Sequence, residues 1–485
     1  MKITFVYQDM ATLTPKPWTG RFYCGIGYLS ACLKQAGHRT SLIHLIRYPI
    51  SREEVLAQLR ADPADLVAFS TTSHSFPDVA AIAGWMKDDG LKLPTICGGV
   101  HPTLNTEEVI ATPGIDYLCV GEGEEAFLEL CTKLEEGRDP TQVANIWANR
   151  DGKVYRNAPR PMIENLDSIP FPDREIFDYP RLYHQQEGEA EVITSRGCPY
   201  QCTYCCNLAL RKATSGGGAY VRFRSVDNVI AEIQEIVQRY PFVRLLQFDD
   251  DLPFVKLDWT REFSEKYRRS VNLPFRFNAR PNLVSRRQLE LLKEANCCEV
   301  KIGLESGNEE IMNRVLNRNL TVKHIKDAFA ICRDLGIRTF SLNMVGLPHE
   351  TPRTILDTIK LNAQVRSDIC QVSIFHPYRG TPLYDLCRDE GFLTEKKIPD
   401  FFSDTVLEMI SVSPNQILFY RRYFRFLVFL YQVLYKLPGA VGKPLLRLID
   451  AVLASKRNVR FFSHILDPLA RIKRKIVFAP QGAHP

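Results

Sequence analysis

Short apolar runs alternate with stretches of helical periodicity over residues 1–138. Helices are predicted at 27–36 and 53–59, and the apolar runs predict strands at 2–7, 40–45, 66–70, 95–97 and 117–120. Strands that alternate with helices form a parallel sheet that is covered on both faces. The first part of the chain is therefore predicted to be an α/β domain of the doubly wound, Rossmann-like class.

A second alternating series occupies residues 189–396, and its six predicted strands are 191–195, 244–249, 275–280, 298–303, 338–345 and 371–375. Six such units can form a partial (β/α)6 barrel, in which chemistry gathers at the carboxyl ends of the strands. Residues 139–188, rich in Pro, Asp and Arg, are predicted to be an extended linker on the surface. Residues 397–485 are predicted to form a small, basic, helical C-terminal region.

Polar or glycine-rich turns follow three strands of the first domain, at the sheet edge where doubly wound proteins bind ligands. Any one of these turns alone is better explained as a simple tight turn. Three turns at one edge favour a ligand site. The candidate residues are Ser70, Thr71, Gly98, Gly99, His101, Gly121, Glu122 and Gly123.

A cysteine cluster directly follows the first strand of the second series. Cys198, Cys202 and Cys205 are spaced so that three thiolates on one loop can hold an iron-sulfur cluster and leave one iron open. A structural zinc site would need four ligands, and no second Cys or His pair lies nearby in the sequence. Cysteines that merely pack as small apolar side chains are not expected in a segment rich in Gly, Pro and polar residues. Cys206 is left out of the predicted ligand set.

Composition and charge narrow the class of protein. The 485 residues are 45% hydrophobic and 24% charged, as in folded globular proteins. Fourteen cysteines are too few for a disulfide framework and no signal segment is recognised, so a reducing, cytoplasmic compartment is expected. Thirteen Lys and Arg against two Asp give residues 417–478 a charge of +11, within a chain whose net charge is +6. The basic charge is therefore local, and nucleic acid is not an expected partner.

At the cysteine loop, where Tyr204 precedes the third cysteine, the sequence resembles the radical S-adenosylmethionine (radical SAM) superfamily. That family's signature, Cys-x3-Cys-x2-Cys, follows the first strand of a partial barrel. The resemblance implies a [4Fe-4S] cluster on the three cysteines, whose open iron chelates S-adenosylmethionine. It also implies cleavage of the sulfonium to a deoxyadenosyl radical, with an electron from an external donor such as flavodoxin or ferredoxin.

Other segments at the ends of the barrel strands resemble the family's contacts to S-adenosylmethionine. The residues concerned are Asp249, Asp250, Glu305, Ser306 and Tyr378, the last where adenine usually packs. The aspartates could instead cap a turn, and Ser306 could cap a helix. Arg280, at the end of the third strand, is predicted to pair with Glu305 across the barrel mouth, which is equally consistent with a structural salt bridge.

The first domain resembles the cobalamin-binding domain that precedes the barrel in one branch of this superfamily. The turns at 98–103 and 121–124 carry this resemblance, in which glycine backbone approaches the nucleotide tail of cobalamin. Many cobalamin proteins supply a histidine to cobalt from the loop after the first strand. Residues 8–13 contain no histidine, so cobalamin is expected to bind without a ligand from this loop, and His101 is expected to shape a turn.

With both cofactors, the leading hypothesis is a methyltransferase that acts on an unactivated centre of a small-molecule or lipid substrate. An oxidative cyclase of the anaerobic tetrapyrrole type shares the domain order and is the first alternative. A non-catalytic cobalamin or redox sensor is the second. The barrel-mouth motifs argue against a sensor.

The C-terminal region offers a hint about the substrate. Residues 426–435 contain nine apolar residues in ten and are preceded by Arg421, Arg422 and Arg425, yet the run is far too short to span a bilayer. A basic amphipathic segment predicts peripheral membrane association or a lipid substrate. A helical lid packed on the barrel explains the pattern equally well.

Overall fold

The computed structural model describes residues 1–9, 18–47, 49–396 and 402–456. Within these ranges the chain forms two α/β units, each built on its own sheet, followed by two C-terminal helices. This architecture confirms the predicted fold class.

The first unit contains a seven-stranded sheet with the order β2-β1-β3-β4-β5-β6-β7. Strands β1 to β5 are parallel, whereas β6 and β7 form an antiparallel hairpin at the edge. The strands are β1 (Lys2–Gln8), β2 (Arg39–Leu45), β3 (Leu66–Ser70), β4 (Thr95–Gly98), β5 (Tyr117–Cys119), β6 (Ile146–Arg150) and β7 (Lys153–Tyr155). The helices are α1 (Cys24–Gln35), α2 (Arg52–Ala61), α3 (Phe76–Asp88), α4 (Val100–Leu104), α5 (Thr106–Ile110) and α6 (Glu124–Glu135).

The hairpin of β6 and β7 lies within residues 139–188, for which an extended surface linker was expected. Ile146 and Ala148 are buried on one face of β6, with Trp147 between them, but three residues are too short an alternation to indicate a strand. Phe177 and Tyr179 further along are also buried. The expectation of a linker confined to the surface is therefore wrong, because the segment extends the first sheet and fills the space between the two units.

The second unit is a six-stranded, all-parallel sheet with the order β15-β14-β13-β12-β11-β8. The two outer strands are not paired with each other, so the barrel is open. Its strands are β8 (Glu189–Val192), β11 (Leu245–Phe248), β12 (Phe275–Ala279), β13 (Cys297–Glu305), β14 (Arg338–Val345) and β15 (Ile369–Ile374), and a short antiparallel pair is formed by β9 (Ser195–Arg196) and β10 (Arg222–Phe223).

Helices cover the outside of this sheet through apolar stripes. In α8, for example, Val229, Ile233 and Ile236 recur on one face and are buried, and the Ser225 side chain caps the helix by accepting a bond from the Asn228 amide. The barrel helices are α7 (Cys206–Ala213), α8 (Val226–Arg239), α9 (Leu257–Ser270), α10 (Arg286–Glu294), α11 (Val322–Asp334), α12 (Pro352–Val365) and α13 (Pro382–Asp389). Single turns of 3-10 or π type lie at Leu166–Ser168, Tyr179–Arg181, Gln185–Glu187, Pro281–Leu283 and Ile311–Val315.

Two helices follow the barrel, α14 (Pro414–Leu434) and α15 (Gly439–Ala454). Helix α14 packs on α12 and β15, and its buried residues include Tyr420, Phe424 and Leu427. The Tyr420 hydroxyl donates to the carbonyl of Leu453 at 2.7 Å and so joins the two helices. The structure therefore agrees with the alternative of a helical lid that packs on the barrel. Residues 457–485 lie outside the described ranges. In those ranges, no helix is long and apolar enough to cross a bilayer.

We predict that Leu427→Ala destabilises the protein by about 2–5 kcal/mol, because it leaves a cavity in the core beneath α14. Val433→Ala, on the same helix but 43% exposed, is the matched control and should change stability by less than about 0.5 kcal/mol. Thermal unfolding followed by circular dichroism checks both variants. An unchanged midpoint in Leu427→Ala would show that α14 does not belong to the barrel core.

Candidate active site

A cavity of about 470 Å³ lies between the carboxyl edges of the two sheets. The first unit contributes the ends of β3, β4 and β5 with the turns that follow them, and the second contributes the ends of β9 and β11. Of the predicted site residues, those that line the cavity are Ser70, Gly98, Gly99, Gly121, Glu122, Gly123, Asp249 and Asp250. One cavity therefore joins the turns of the first unit to the barrel.

The glycine turns of the first unit bring backbone directly to the cavity wall. Gly99 has a φ of 110°, and a Cβ at this position would lie 2.6 Å from the carbonyl oxygen of Thr71. The Thr103 hydroxyl donates to the Gly99 carbonyl at 2.8 Å and accepts from the Gly121 amide at 3.0 Å. Thr103, which the sequence analysis missed, thus holds two turns in fixed relation. The hydroxyl groups of Thr71 and Ser75, which lie 2.8 Å apart, are hydrogen-bonded to each other next to these turns.

Glu122 is predicted to contact a cofactor, but in the structure its side chain forms ion pairs with two arginines. Its carboxylate accepts from Arg196 at 2.9 Å and from Arg222 at 2.8 Å, both in the second unit. Burial opposes its ionisation, but the bond from Arg222 and the charge of Arg196 lower the pKa of Glu122 below its ordinary value. Glu124 pairs with Arg196 at 2.5 Å. The carboxylate therefore joins the two units at the rim of the cavity.

His101 lies behind the cavity wall. Its Nδ1 is 3.1 Å from the Ser73 hydroxyl, its ring stacks on Phe76 at 4.3 Å, and burial lowers its pKa to about 4. A neutral, packed imidazole suits the predicted role in shaping the turn. In the loop after β1, Asp9 is held by His44 at 3.2 Å, and residues 10–13 of the predicted histidine-free loop lie outside the described ranges.

The cysteine loop is anchored at both ends. Gly197 has a φ of 84°, and a Cβ there would lie 2.2 Å from the Tyr220 carbonyl oxygen, so the chain turns into the loop at a position that only glycine fits. The Thr203 hydroxyl donates to the Val315 carbonyl at 2.6 Å, and the Leu383 amide donates to the Thr203 carbonyl at 3.1 Å. These two bonds attach the loop to the barrel mouth at two places, one in the segment after β13 and one in the segment after β15.

The three predicted ligand thiols are free of disulfides, and burial raises the pKa of Cys198 to about 11. Bonds from Cys206 and Asn207 lower the pKa of Cys205, which favours the thiolate that iron requires. Across the described ranges, no three His, Cys, Asp or Glu side chains converge tightly enough to chelate a single metal ion. The three free thiols, all on one loop, are the kind of donor that an iron-sulfur cluster requires.

The three aspartates after β11 have separate roles. Asp250 is buried and accepts from the amide of Thr194 at 2.8 Å and the hydroxyl of Ser195 at 2.6 Å, so it holds the strand that leads into the cysteine loop. Asp249 and Asp251 are open to the cavity rather than packed in the core. The protein that encloses the cavity removes part of their solvent, and this desolvation raises the pKa of each carboxyl group. Asp251 is another cavity residue that the predicted set omitted, because three adjacent aspartates do not reveal which side chains point inwards.

Glu305 and Arg280 do not form the predicted ion pair. Arg280 instead donates to the sulfur of Cys202 at 3.4 Å. Glu305 ends β13 with a φ of 65°. Burial raises the pKa of Glu305, although the positive charges of Arg318 and Arg280 act to lower it. Ser306 is fully buried, and its hydroxyl accepts from the Asn308 amide at 3.3 Å. This bond closes the turn after β13, while the next helical turn, Ile311–Val315, has Glu310 rather than Ser306 as its N-cap.

Tyr378 lies at the junction of the two units, outside the residues that line the cavity. Its hydroxyl is 3.0 Å from Nε2 of His74, which belongs to the loop after β3. The ring of His376 packs against both side chains. The structure thus brings the loops after β3 and β15 together, a contact that no spacing in the sequence indicates.

The loop after β14 is closed by a buried carboxyl group. One oxygen of Glu350 accepts from the amides of Gly346 at 2.7 Å and Leu347 at 2.9 Å. Its other oxygen has no hydrogen-bond partner among the described residues, and burial raises the pKa of Glu350 to about 8. A protonated carboxyl group is therefore part of the barrel mouth near neutral pH.

Comparison with known families matches both units. The radical SAM superfamily matches residues 192–361, and the B12 binding domain matches residues 23–131. The chain is a radical SAM enzyme with a B12-binding domain. Its cofactors are a [4Fe-4S] cluster, S-adenosylmethionine and cobalamin, and both the family and the cofactors predicted from the sequence are confirmed.

This radical SAM enzyme is similar to a protein of Pyrococcus horikoshii named as an uncharacterized methyltransferase, with 25% identity over 74% of the chain and 77% of the relative. It is also 24% identical to the anaerobic magnesium-protoporphyrin IX monomethyl ester cyclase of Rubrivivax gelatinosus, over 81% of the chain and 70% of the cyclase. Among solved structures, the cobalamin-dependent S-adenosylmethionine radical enzyme OxsB shares the fold, with a TM-score of 0.67, 15% identity, and coverage of 97% of this chain and 75% of OxsB.

We predict that Glu350 makes the radical SAM enzyme less stable as pH rises. The folded-state pKa of about 8 lies above the ordinary value of 4.5 for a glutamate, so between these two pH values the folded protein keeps a proton that the unfolded protein has lost. Stability therefore falls by up to about 1.4 kcal/mol per pH unit in this interval. Glu350→Gln keeps an acceptor for both amides without this proton. Its melting temperature should therefore rise relative to wild type between about pH 6 and about pH 8.5.

The exposed residue Glu408 provides the control, since Glu408→Gln should follow wild type at both pH values. A Glu350→Gln variant whose melting temperature kept a constant difference from wild type would contradict the buried, protonated state.

Proposed function

We propose that this protein is a cobalamin-dependent radical SAM methyltransferase. The observation that carries the proposal is the shared cavity: glycine turns of the B12-binding domain form one wall, and the segments that follow barrel strands β8 and β11 form part of the other. Two cofactors held by these walls would face each other across a single space. The similarity to a named methyltransferase over three quarters of both chains also supports this proposal.

Each cofactor would have its own set of protein groups. Residues 1–138 would hold cobalamin through the cavity-facing turns, and residues 189–396 would hold the cluster through Cys198, Cys202 and Cys205. Asp249, Asp251 and Glu305 suit a cationic ligand such as S-adenosylmethionine, because their carboxylates lie at the end of the barrel strands. Residues 139–188 would connect the two domains.

The bound cofactors would supply a deoxyadenosyl radical and a transferable methyl group. The protein would contribute position and exclusion of water. The ion pairs of Glu122 with Arg196 and Arg222 fix one wall against the other, and Gly197 and Asn207, on either side of the cysteine loop, line the cavity. A substrate held between these walls would be exposed to both cofactors without bulk solvent.

Product analysis tests the proposal directly. Protein reconstituted anaerobically with iron, sulfide and cobalamin, then reduced with flavodoxin or dithionite, is incubated with S-adenosylmethionine and an extract of small molecules and lipids. A methyltransferase yields S-adenosylhomocysteine and deoxyadenosine together with a methylated product. A cyclase like the Rubrivivax relative yields deoxyadenosine alone, and a sensor yields neither. Either of the last two results would overturn the methyltransferase proposal.

We expect the triple variant Cys198→Ala, Cys202→Ala, Cys205→Ala to lose the iron-sulfur absorption and all deoxyadenosine formation, because no cluster can form without the three thiolates. Cys32→Ala, at a free cysteine of α1 outside the cysteine loop, is the matched control and should retain both the iron and the deoxyadenosine activity. Retention of a four-iron cluster by the triple variant would show that other residues bind it.

The C-terminal helices suggest where the substrate is found. Although α14 packs on the barrel, Val441 and Leu448 are 58% and 60% exposed and lie seven residues apart, on one face of α15. Lys443 and Arg447 are exposed on the same helix. At about 100° per residue, these two basic side chains lie on the opposite side of α15 from Val441 and Leu448. We infer that the basic side of α15 binds anionic lipid headgroups, so that the enzyme draws a lipid-like substrate from a membrane surface.

Vesicle sedimentation provides the test. The full chain should bind vesicles that contain phosphatidylglycerol, bind phosphatidylcholine vesicles poorly, and dissociate as salt is raised. Lys443→Glu with Arg447→Glu should weaken binding at least about thirty-fold, at about 1 kcal/mol for each basic residue. Arg314→Glu with Lys323→Glu, on an exposed part of the barrel, is the matched control. Equal binding by both double variants, or none by the wild type, would contradict a lipid-binding surface on α15.

A further inference from the structure

The guanidinium group of Arg280 lies directly against one of the three cluster cysteines. Its Nη1 is 3.4 Å from the Cys202 sulfur, and both residues are buried, with 6% and 7% of their surface exposed. Arg280 is the residue after β12, so its backbone belongs to the rigid end of a barrel strand. The contact is therefore built into the barrel rather than made by a surface side chain that happens to reach the loop.

Two neighbours hold the guanidinium in this position. Its plane lies 3.8 Å from the centre of the Tyr200 ring, and Asn282 donates to the Tyr200 hydroxyl at 3.1 Å. The Nη2 atom donates to the carbonyl oxygen of Arg318. Among the described residues, Arg280 forms no ion pair with a carboxylate within 4.0 Å. The guanidinium is thus outside any close ion pair, and its charge acts on the Cys202 sulfur as well as on Glu305.

A second bond to a cluster cysteine is of a different kind. The side-chain amide of Asn207 donates to the Cys205 sulfur at 3.6 Å, but an amide carries no charge. Arg280 supplies both a hydrogen bond and a full positive charge, in a buried environment where electrostatic interactions are strong. Adding an electron to an iron-sulfur cluster increases the negative charge on its sulfurs, and both contributions from Arg280 favour that state.

We propose that Arg280 is a positioning residue that raises the reduction potential of the cluster by acting on the Cys202 sulfur. It makes the one-electron reduction easier for an external donor, while it does not itself touch the substrate. The proposal rests on the proposed function, because it assumes a cluster on Cys198, Cys202 and Cys205.

Redox titration of the reconstituted protein, followed by electron paramagnetic resonance of the reduced cluster, tests this proposal without substrate or turnover. Arg280→Gln removes the charge, and its midpoint potential should shift to a more negative value. Arg280→Lys keeps the charge but loses the planar geometry, and a smaller shift in the same direction is expected. Arg286→Gln removes an exposed arginine that pairs with Asp334, and it should leave the potential unchanged.

Iron and sulfide content separates the possible failures. If the wild type held no four-iron cluster on the three cysteines, this result would contradict the proposed function itself, on which the role of Arg280 rests. A full cluster with the wild-type potential in Arg280→Gln would overturn the role of Arg280 alone. If Arg280→Gln loses the cluster, Arg280→Lys provides the test. An unshifted midpoint potential in Arg280→Lys would contradict the proposal. Loss of the cluster from Arg280→Lys without a change in melting temperature would also contradict it, because Arg280 would then be needed to hold the cluster rather than to set its potential.

Discussion

The ion pairs between Glu122 and two arginines are the interaction on which the site depends. They join the turn after β5 to β9 and β10, and so hold the carboxyl edges of two separate sheets on either side of one cavity. Buried ion pairs contribute little net stability, because desolvation offsets the attraction between the charges. Their geometric demand is strict, however, and three charged groups at the domain boundary specify one relative position of the two units.

The same boundary explains why several predicted ligand residues have structural roles. Asp250 holds the strand before the cysteine loop, His101 packs beneath a turn, and Tyr378 reaches across to His74. A cavity that two large cofactors can share needs rigid walls, and polar side chains behind the wall provide that rigidity through hydrogen bonds. The cavity is lined by backbone at the glycine turns, a few carboxylates, and apolar and aromatic side chains such as Tyr28, Phe69 and Leu210.

The C-terminal region shows how one pattern can serve two purposes. The aromatic residues of α14 that resemble a membrane-binding face are mostly buried against the barrel, where Tyr420 and Phe424 complete its second core. Helix α15 then leaves apolar and basic side chains at the surface. Periodicity identifies an apolar face, but it cannot say whether protein or lipid covers it, since both environments exclude water.

The sequence by itself determined the order of the two α/β units, most strand positions and the cysteine loop, because each depends on local periodicity or spacing. Strand β14 is predicted at its observed bounds, and β3 likewise. Only the tertiary structure decided which side chains meet. The hairpin at Ile146, the bond from Arg280 to Cys202 and the inward position of Asp251 all join segments far apart in the chain or choose among adjacent identical residues. Local patterns carry no information about such contacts, because packing between elements sets them.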